Sequence, residues 1–253
     1  MHPIIALWSH PRSMSTAMER VMRERGDLTC FHEPYMYYYY LERRVRVMPH
    51  ADLDPDKPRS FEAIRDMLLE AGETGPVFFK DMSYYVLPNL FEDRAFAERL
   101  THTFLIRDPV KSILSYHKLD PDLTLEEIGL EAIWTHIEAA RALTGEVPAI
   151  LHAEAVQADT PGVMNAYWRR VGLPPAPQAL SWAANDTPED WQGVTGWHGD
   201  VLSSGGIVAL TPEEEAAQRA AFEAAAETAP KLRAYLDHHL PFYEKARALA
   251  IGA

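Results

Sequence analysis

Five apolar residues in a row, residues 4–8 (IIALW), run directly into the breaker Ser9-His10-Pro11-Arg12. A run of that kind is a strand buried on both faces, which requires a sheet covered by a layer above and a layer below. The next stretch, residues 13–25, carries apolar residues at Met14, Ala17, Met18, Val21 and Met22. That is the i, i+3/4, i+7/8 spacing of a helix with one buried face, and Gly26 ends it. A buried strand, a turn and a helix in immediate succession open a parallel α/β arrangement.

The alternation continues along the chain. Strand candidates at residues 28–31, 77–80, 103–106 and 149–152 alternate with helical patterns over 61–71, 109 to about 117, 125–143, 161–171 and 212–235. This predicts a three-layer α/β fold with a central, mainly parallel β-sheet of about five strands flanked by helices. Ligands of such sheets bind beyond the carboxyl ends of the strands. The Pro/Asp-rich stretch 49–58 and the LPPAP at 173–177 are breakers too short to divide the chain, so one domain over residues 1–253 is expected.

Charge narrows the partners. With 24 Lys and Arg against 37 Asp and Glu, the net charge of −13 argues against nucleic acid and against an anionic membrane as bulk partners. A local basic pocket for a small anion remains compatible with that average. No apolar run approaches the ~18 residues of a spanning helix, and the start MHPIIALW lacks the basic region of a signal peptide. The single cysteine, Cys30, can form neither an internal disulfide nor a thiolate metal site, so a reducing, cytoplasmic setting is expected. A homodimer is compatible with these features and required by none of them.

The turn after the first strand carries chemistry. A helix start offers free backbone N–H groups and the positive end of the helix dipole. Ser13, Ser15 and Thr16 add hydroxyl donors, and Arg12 adds a permanent charge on a two-pronged fork. The set suits a doubly charged oxyanion, although Ser13 alone is equally a helix cap and Arg12 a surface residue. It is not a GxxxxGK[ST] loop, because no Lys adjoins the Ser/Thr and Met14 stands where glycine is expected. A residue with helical dihedrals at Met14 would be tolerated. A second constellation follows a later strand, in FLIRDPVKSILSYH. There Asp108 suits a cap, Pro109 suits a first helical position, and Ser112 and Ser115 fall on one helical face. Arg107 and Ser115 are then able to converge on one phosphate.

Together these two segments resemble the P-loop sulfotransferases, in particular bacterial members. Pro11, Arg12, Ser13, Met14, Ser15 and Thr16 look like the family's 5′-phosphosulfate loop, and Arg107 with Ser115 eight residues later looks like its 3′-phosphate motif. Residues 149–155, Asp159 to Pro161 and the Gly-Leu-Pro at 172–174 are similar to later landmarks, so the resemblance spans about residues 3–182. Residues 191–207 resemble only loosely the family's glycine-containing loop, including Ser204, Gly205 and Gly206. The resemblance implies a P-loop NTPase-like fold. It implies transfer of a sulfuryl group from 3′-phosphoadenosine 5′-phosphosulfate to a hydroxyl of a small-molecule acceptor, leaving 3′,5′-diphosphoadenosine, with no metal.

The family's histidine base departs here, since Lys80-Asp81-Met82 stands at that place and Met82 cannot take a proton. The resemblance to members with a glutamate base points instead to Glu33 in FHEPY, expected beside the first loop, with Arg12 and Lys80 stabilising charge on the transferred and leaving groups. His32 and His10 are read as hydrogen-bonding partners. The Met36–Tyr40 run, with Tyr84 and Tyr85, is read either as the wall of an apolar acceptor pocket or as core. Two other classes stay open: a P-loop small-molecule phosphotransferase using Mg²⁺, with Glu154 as its strand-end acid, and a catalytically degenerate nucleotide-binding relative marked by Met14 and Met82.

Overall fold

The computed structural model describes residues 1–251. Five strands, β1 (Ile4–Ser9), β2 (Thr29–His32), β3 (Val77–Met82), β4 (Leu100–Ile106) and β5 (Ala149–His152), form one sheet in the order β2-β3-β1-β4-β5. Every pairing is parallel. The chain winds through α1 (Ser15–Glu24), α2 (Pro34–Tyr37), α3 (Phe61–Thr74), α4 (Ser83–Leu90), α5 (Arg94–Arg99) and α6 (Pro109–Leu119). It continues through α7 (Leu130–Thr144), α8 (Ala153–Ala158), α9 (Thr160–Arg170), α10 (Gly199–Leu202), α11 (Pro212–Thr228) and α12 (Lys231–Arg247).

The apolar run of β1 is explained by its two faces. Ile4, Ala6 and Trp8 join Ile64 and Leu68 of α3, Ile133 and Ile137 of α7, and Leu232 and Leu236 of α12 in one core. Ile5 and Leu7 join Met18 and Met22 of α1, Val156 of α8 and Trp168 of α9 in the other. A strand whose successive side chains enter opposite cores has no polar position to offer. Truncating the fully buried Trp8 to Ala is expected to cost about 3–5 kcal/mol. Because α1 and α6 cover opposite faces, the connections after β1 and β4 diverge, which opens a crevice at the carboxyl ends of these neighbouring strands.

Three sequence-derived boundaries are corrected. The helix expected over 125–143 is interrupted at Gly129, whose φ of +81° ends a short 3₁₀ turn (Glu126–Ile128) before α7 begins. A Cβ at Gly129 would lie 3.0 Å from the Cβ of His10, so the glycine lets this turn approach the end of β1. The helix expected over 212–235 ends at Thr228, and α12 restarts after Pro230, whose ring cannot continue the ladder. The helix expected from residue 13 starts at Ser15, two residues late. The Pro/Asp-rich stretch 49–58 has neither helix nor strand, as expected.

Candidate active site

The β1–α1 turn reverses the chain with two non-glycine residues in the left-handed region, Arg12 (φ 61°) and Met14 (φ 77°). Met14 therefore lacks the helical dihedrals under which its departure from glycine would be tolerated. It holds the conformation glycine adopts freely, at a cost of about 1–2 kcal/mol. Ser13 is not a helix cap either. Its N–H closes a turn onto the His10 carbonyl at 3.3 Å, and its buried Oγ has no partner. Met14 occupies the N-cap position without a side-chain cap, so the first turn of α1 keeps its donors for something else.

The carboxyl ends of β2 and β3 add the charged groups. Lys80 is 1% exposed, not a surface lysine, and its ammonium pairs with the Glu33 carboxylate. A second N–H of Lys80 lies 3.5 Å from Thr16 Oγ1 on α1. Glu33 extends the ladder by donating its N–H to the Lys80 carbonyl and then turns left-handed (φ 40°) before Pro34 starts α2. Sequence reasoning placed the end of β2 next to β1. The sheet order puts β3 between them, and Lys80 is what spans the gap. Asp81, fully buried, accepts from the N–H groups of Tyr35 (2.7 Å) and Met82 (3.0 Å). Burial, and then the charge of Glu33, hold its carboxyl well above the usual range.

The two expected anion sites touch. Arg12 Nε donates to Ser115 Oγ at 2.9 Å, and Arg107 Nη1 donates to the Arg12 carbonyl at 2.9 Å. Arg107 N–H also donates to His10 Nε2 at 3.1 Å, while Arg107 Nε and His10 Nδ1 are buried without partners. Asp108 caps α6 through the Val110 N–H, with Pro109 at the first position, as the spacing predicts. Glu154 accepts from the Asp108 N–H at 3.3 Å and lies near His152 (2.9 Å) and Lys111 (3.4 Å). Burial would raise its carboxyl, but His152 and Lys111 outweigh that and hold it at about 2.

A segment of 3₁₀ turns (Glu189–Trp197), continued through His198 into α10, lies against this turn. The Trp197 carbonyl and the Asp200 carboxylate (3.4 Å) accept from the Arg12 guanidinium, and His198 Nδ1 lies 3.2 Å from Thr16 Oγ1. A cavity of about 340 Å³ remains between loop and segment. Its lining combines the polar Arg12, Thr16, Lys80 and Arg107 with Met36, Tyr40, Tyr84 and Tyr116.

The sequence profile of the family described as "Sulfotransferase domain" matches residues 2–246. The chain belongs to the sulfotransferase domain family. Two curated proteins of Arabidopsis thaliana, branched-chain-amino-acid aminotransferase-like proteins 2 and 1, are each 26% identical to this chain over 206 residues, or 81% of it. The chain spans 36% of their length. Among solved structures it is similar to the sulfotransferase domain from the curacin biosynthetic pathway, with a TM-score of 0.47 and 13% identity over 82% of this chain and 84% of that one. It is also similar to mouse sulfotransferase SULT7A1 complexed with PAP, with a TM-score of 0.42 and 12% identity over 93% and 88%.

Pro11, Arg12, Met14, Ser15, Thr16, Glu33, Lys80 and Arg107 all line one cavity. Ser13 and Ser115 do not line it: the first is buried beneath the turn and the second holds Arg12. The tyrosine run divides between the two roles open to it. Tyr39 is core, whereas Met36 and Tyr40, with Tyr84 and Tyr85, face the cavity. Sequence reasoning missed Trp197, His198 and Asp200, in a segment whose resemblance to the family was only loose; Ser204, Gly205 and Gly206 of that segment lie outside the cavity lining. It also missed Glu19, although a signal was present: the acid falls on the apolar face of α1 between Met18 and Met22 and is fully buried. Among the described residues no helix is long and apolar enough to cross a membrane.

Proposed function

We propose that this sulfotransferase transfers a sulfuryl group from 3′-phosphoadenosine 5′-phosphosulfate to the hydroxyl of a small-molecule acceptor. The observation that carries this reading is the convergence, at an uncapped helix start, of two cavity-lining guanidinium groups, one of which, Arg107, has a buried Nε without a partner. An anion with charges at two points satisfies all of them. The residues present therefore fit such a donor. The β1–α1 turn, Arg12 and Thr16 would hold its 5′ end, and Arg107, braced on the Arg12 carbonyl, its 3′-phosphate. When bound, the donor supplies the sulfuryl group and leaves as 3′,5′-diphosphoadenosine.

The chain's own residues then handle the proton and the charge. Glu33 Oε2, the oxygen not held by Lys80, takes the proton of the acceptor hydroxyl. Protonation weakens its pairing with Lys80, whose ammonium becomes available to negative charge developing beside Thr16. Met36, Tyr40, Tyr84 and Tyr116 suit the apolar body of an acceptor. In this reading the whole chain, residues 1–253, is one P-loop NTPase-like unit that works in the cytoplasm without a metal.

Calorimetric titration with 3′,5′-diphosphoadenosine, AMP and ATP–Mg²⁺ tests it. The diphosphate should bind tightest. Arg107→Ala should weaken it by about 1.5–3 kcal/mol, the range for hydrogen bonds to charged groups, while changing AMP little. Equal losses for both nucleotides would overturn the assignment of Arg107. Tight binding of ATP only with Mg²⁺ would favour a phosphotransferase, and nucleotide binding without turnover a degenerate relative.

A further inference from the structure

Behind the anion turn, three buried side chains from three elements form a chain that the proposed transfer does not use. Glu19 on α1, His32 at the end of β2 and His198 before α10 are all buried. Glu19 Oε2 lies 2.7 Å from His32 Nδ1, His32 Nε2 lies 3.0 Å from His198 Nε2, and His198 Nδ1 lies 3.2 Å from Thr16 Oγ1. The other oxygen of Glu19 is held at 2.8 Å by both Trp191 Nε1 and Arg23 Nε, so only Oε2 is left for His32.

These contacts have one consistent direction. Burial, and next the charge of Lys80, lower His32 to about 3. Burial, then His32 and Lys80, lower His198 well below its ordinary value. Each ring is therefore neutral and carries one N–H. A carboxylate only accepts, so His32 carries its proton on Nδ1 and leaves Nε2 bare. His198 must then donate from Nε2, which leaves its Nδ1 bare, and Nδ1 accepts the Thr16 hydroxyl proton. The Thr16 oxygen is left as an acceptor facing the Lys80 ammonium at 3.5 Å. Five groups point the same way, from Lys80 to Glu19.

We propose that Glu19, His32 and His198 form a directional hydrogen-bond relay that fixes the orientation of the Thr16 hydroxyl, and through it the placement of Lys80, as positioning residues for transfer. The link to transfer rests on the function proposed above, whereas the direction of the relay does not. Glu19 is the determinant because it is the one member that cannot donate. In Glu19→Gln the amide oxygen stays with Trp191 and Arg23, both donors, and the amide N–H turns to His32 Nδ1. Every bond in the chain must then reverse: His32 donates from Nε2, His198 from Nδ1, and Thr16 becomes the acceptor of His198 instead of its donor.

The experiment is ¹⁵N–¹H correlation of histidine ring nitrogens in the full chain, parent against Glu19→Gln and Glu19→Asp. His102 is the internal control, since Trp8 Nε1 donates to its Nδ1 at 3.0 Å and its Nε2 lies 2.9 Å from the Ala97 carbonyl, independently of the relay. The parent should show His32 protonated on Nδ1 and His198 on Nε2. Glu19→Gln should move both protons, Glu19→Asp should leave both as in the parent, and His102 should not change. In single-donor kinetics Glu19→Gln should lower kcat by roughly 10-fold or more with the donor KM within about 3-fold, and Glu19→Asp should recover most of the loss. A parent His198 protonated on Nδ1 overturns the relay without recourse to any variant. Reversed tautomers with an unchanged kcat overturn its positioning role. Tautomers as expected in a protein that transfers nothing to any acceptor support the relay's direction and count against the proposed function instead.

Discussion

Two pairs of buried histidines sit on different sides of β1 and behave differently. His32 and His198, at the carboxyl edge of the sheet, use all four ring nitrogens in hydrogen bonds that end on the anion turn. His102 and His136 lie inside the core that contains Trp8. His102 is bonded to Trp8 and Ala97, but neither nitrogen of His136 has a partner, and its ring packs on Trp8 (4.6 Å), Phe104 (5.1 Å) and Phe91 (5.2 Å). Burial and neutrality are common to both pairs. A bonded path to charged groups in a cavity is confined to the first.

Acid should expose what the pairs have in common. His10 and His32 are lowered to about 3, His102 and His239 to about 4, and His136 and His198 also lie below the ordinary value, in each case chiefly through burial. A lowered folded-state pKa means that the unfolded chain binds more protons below about pH 6.5. Stability is thus full above that pH and is lost as pH falls toward 3–4, at up to about 1.4 kcal/mol per pH unit for each histidine. Denaturant unfolding at pH 7 and pH 5 should differ by several kcal/mol, and a flat profile would contradict the buried, neutral state of both pairs.

Substitutions should separate the pairs. Glu33→Gln, at the edge, should slow single-turnover transfer about 10²–10⁴-fold, the usual loss for a general base. It should also lower stability, because the ammonium of Lys80 loses its carboxylate in a buried setting. Near-parent transfer would remove Glu33 as the base. His136→Leu, in the core, should leave transfer unchanged and stability at pH 7 within about 1 kcal/mol of the parent, since it removes two desolvated nitrogens at the cost of some packing. It should also remove one histidine's share of the acid slope. A loss of transfer there would break the distinction. The smallest effect is expected at Met14→Gly, which relieves the left-handed backbone but frees the unfolded chain. A net gain of about 0.5–1 kcal/mol in thermal unfolding would confirm that the turn is strained, and a loss would show that the Met14 side chain stabilises the turn by more than its backbone strain costs.

What could be read from the sequence follows from where each residue sits. The strands were legible because a sheet buried on both faces leaves only apolar runs such as residues 4–8. Arg12, Lys80 and Arg107 were legible because each lies within a few residues of the carboxyl end of such a strand. The position of β2 beyond β3 was not legible, since strand order is set by crossovers and not by local pattern. Trp197, His198 and Asp200 come from short 3₁₀ turns with no periodicity to mark them. Gly129 and Pro230 broke two helices at single residues inside otherwise continuous helical spacing.

The contacts of Arg12 bear on how ionic strength will act on this site. Its guanidinium is already engaged by Ser115, the Trp197 carbonyl and the Asp200 carboxylate, and Asp200 is 93% exposed at 3.4 Å. An arriving anion must displace a resident one. Added salt screens both the newcomer and its internal rival, with a Debye length of about 8 Å at physiological strength. The two weakenings partly cancel, so anion affinity at Arg12 should fall less steeply with salt than at a bare arginine. Asp200→Asn should restore the steep dependence while raising affinity at low salt.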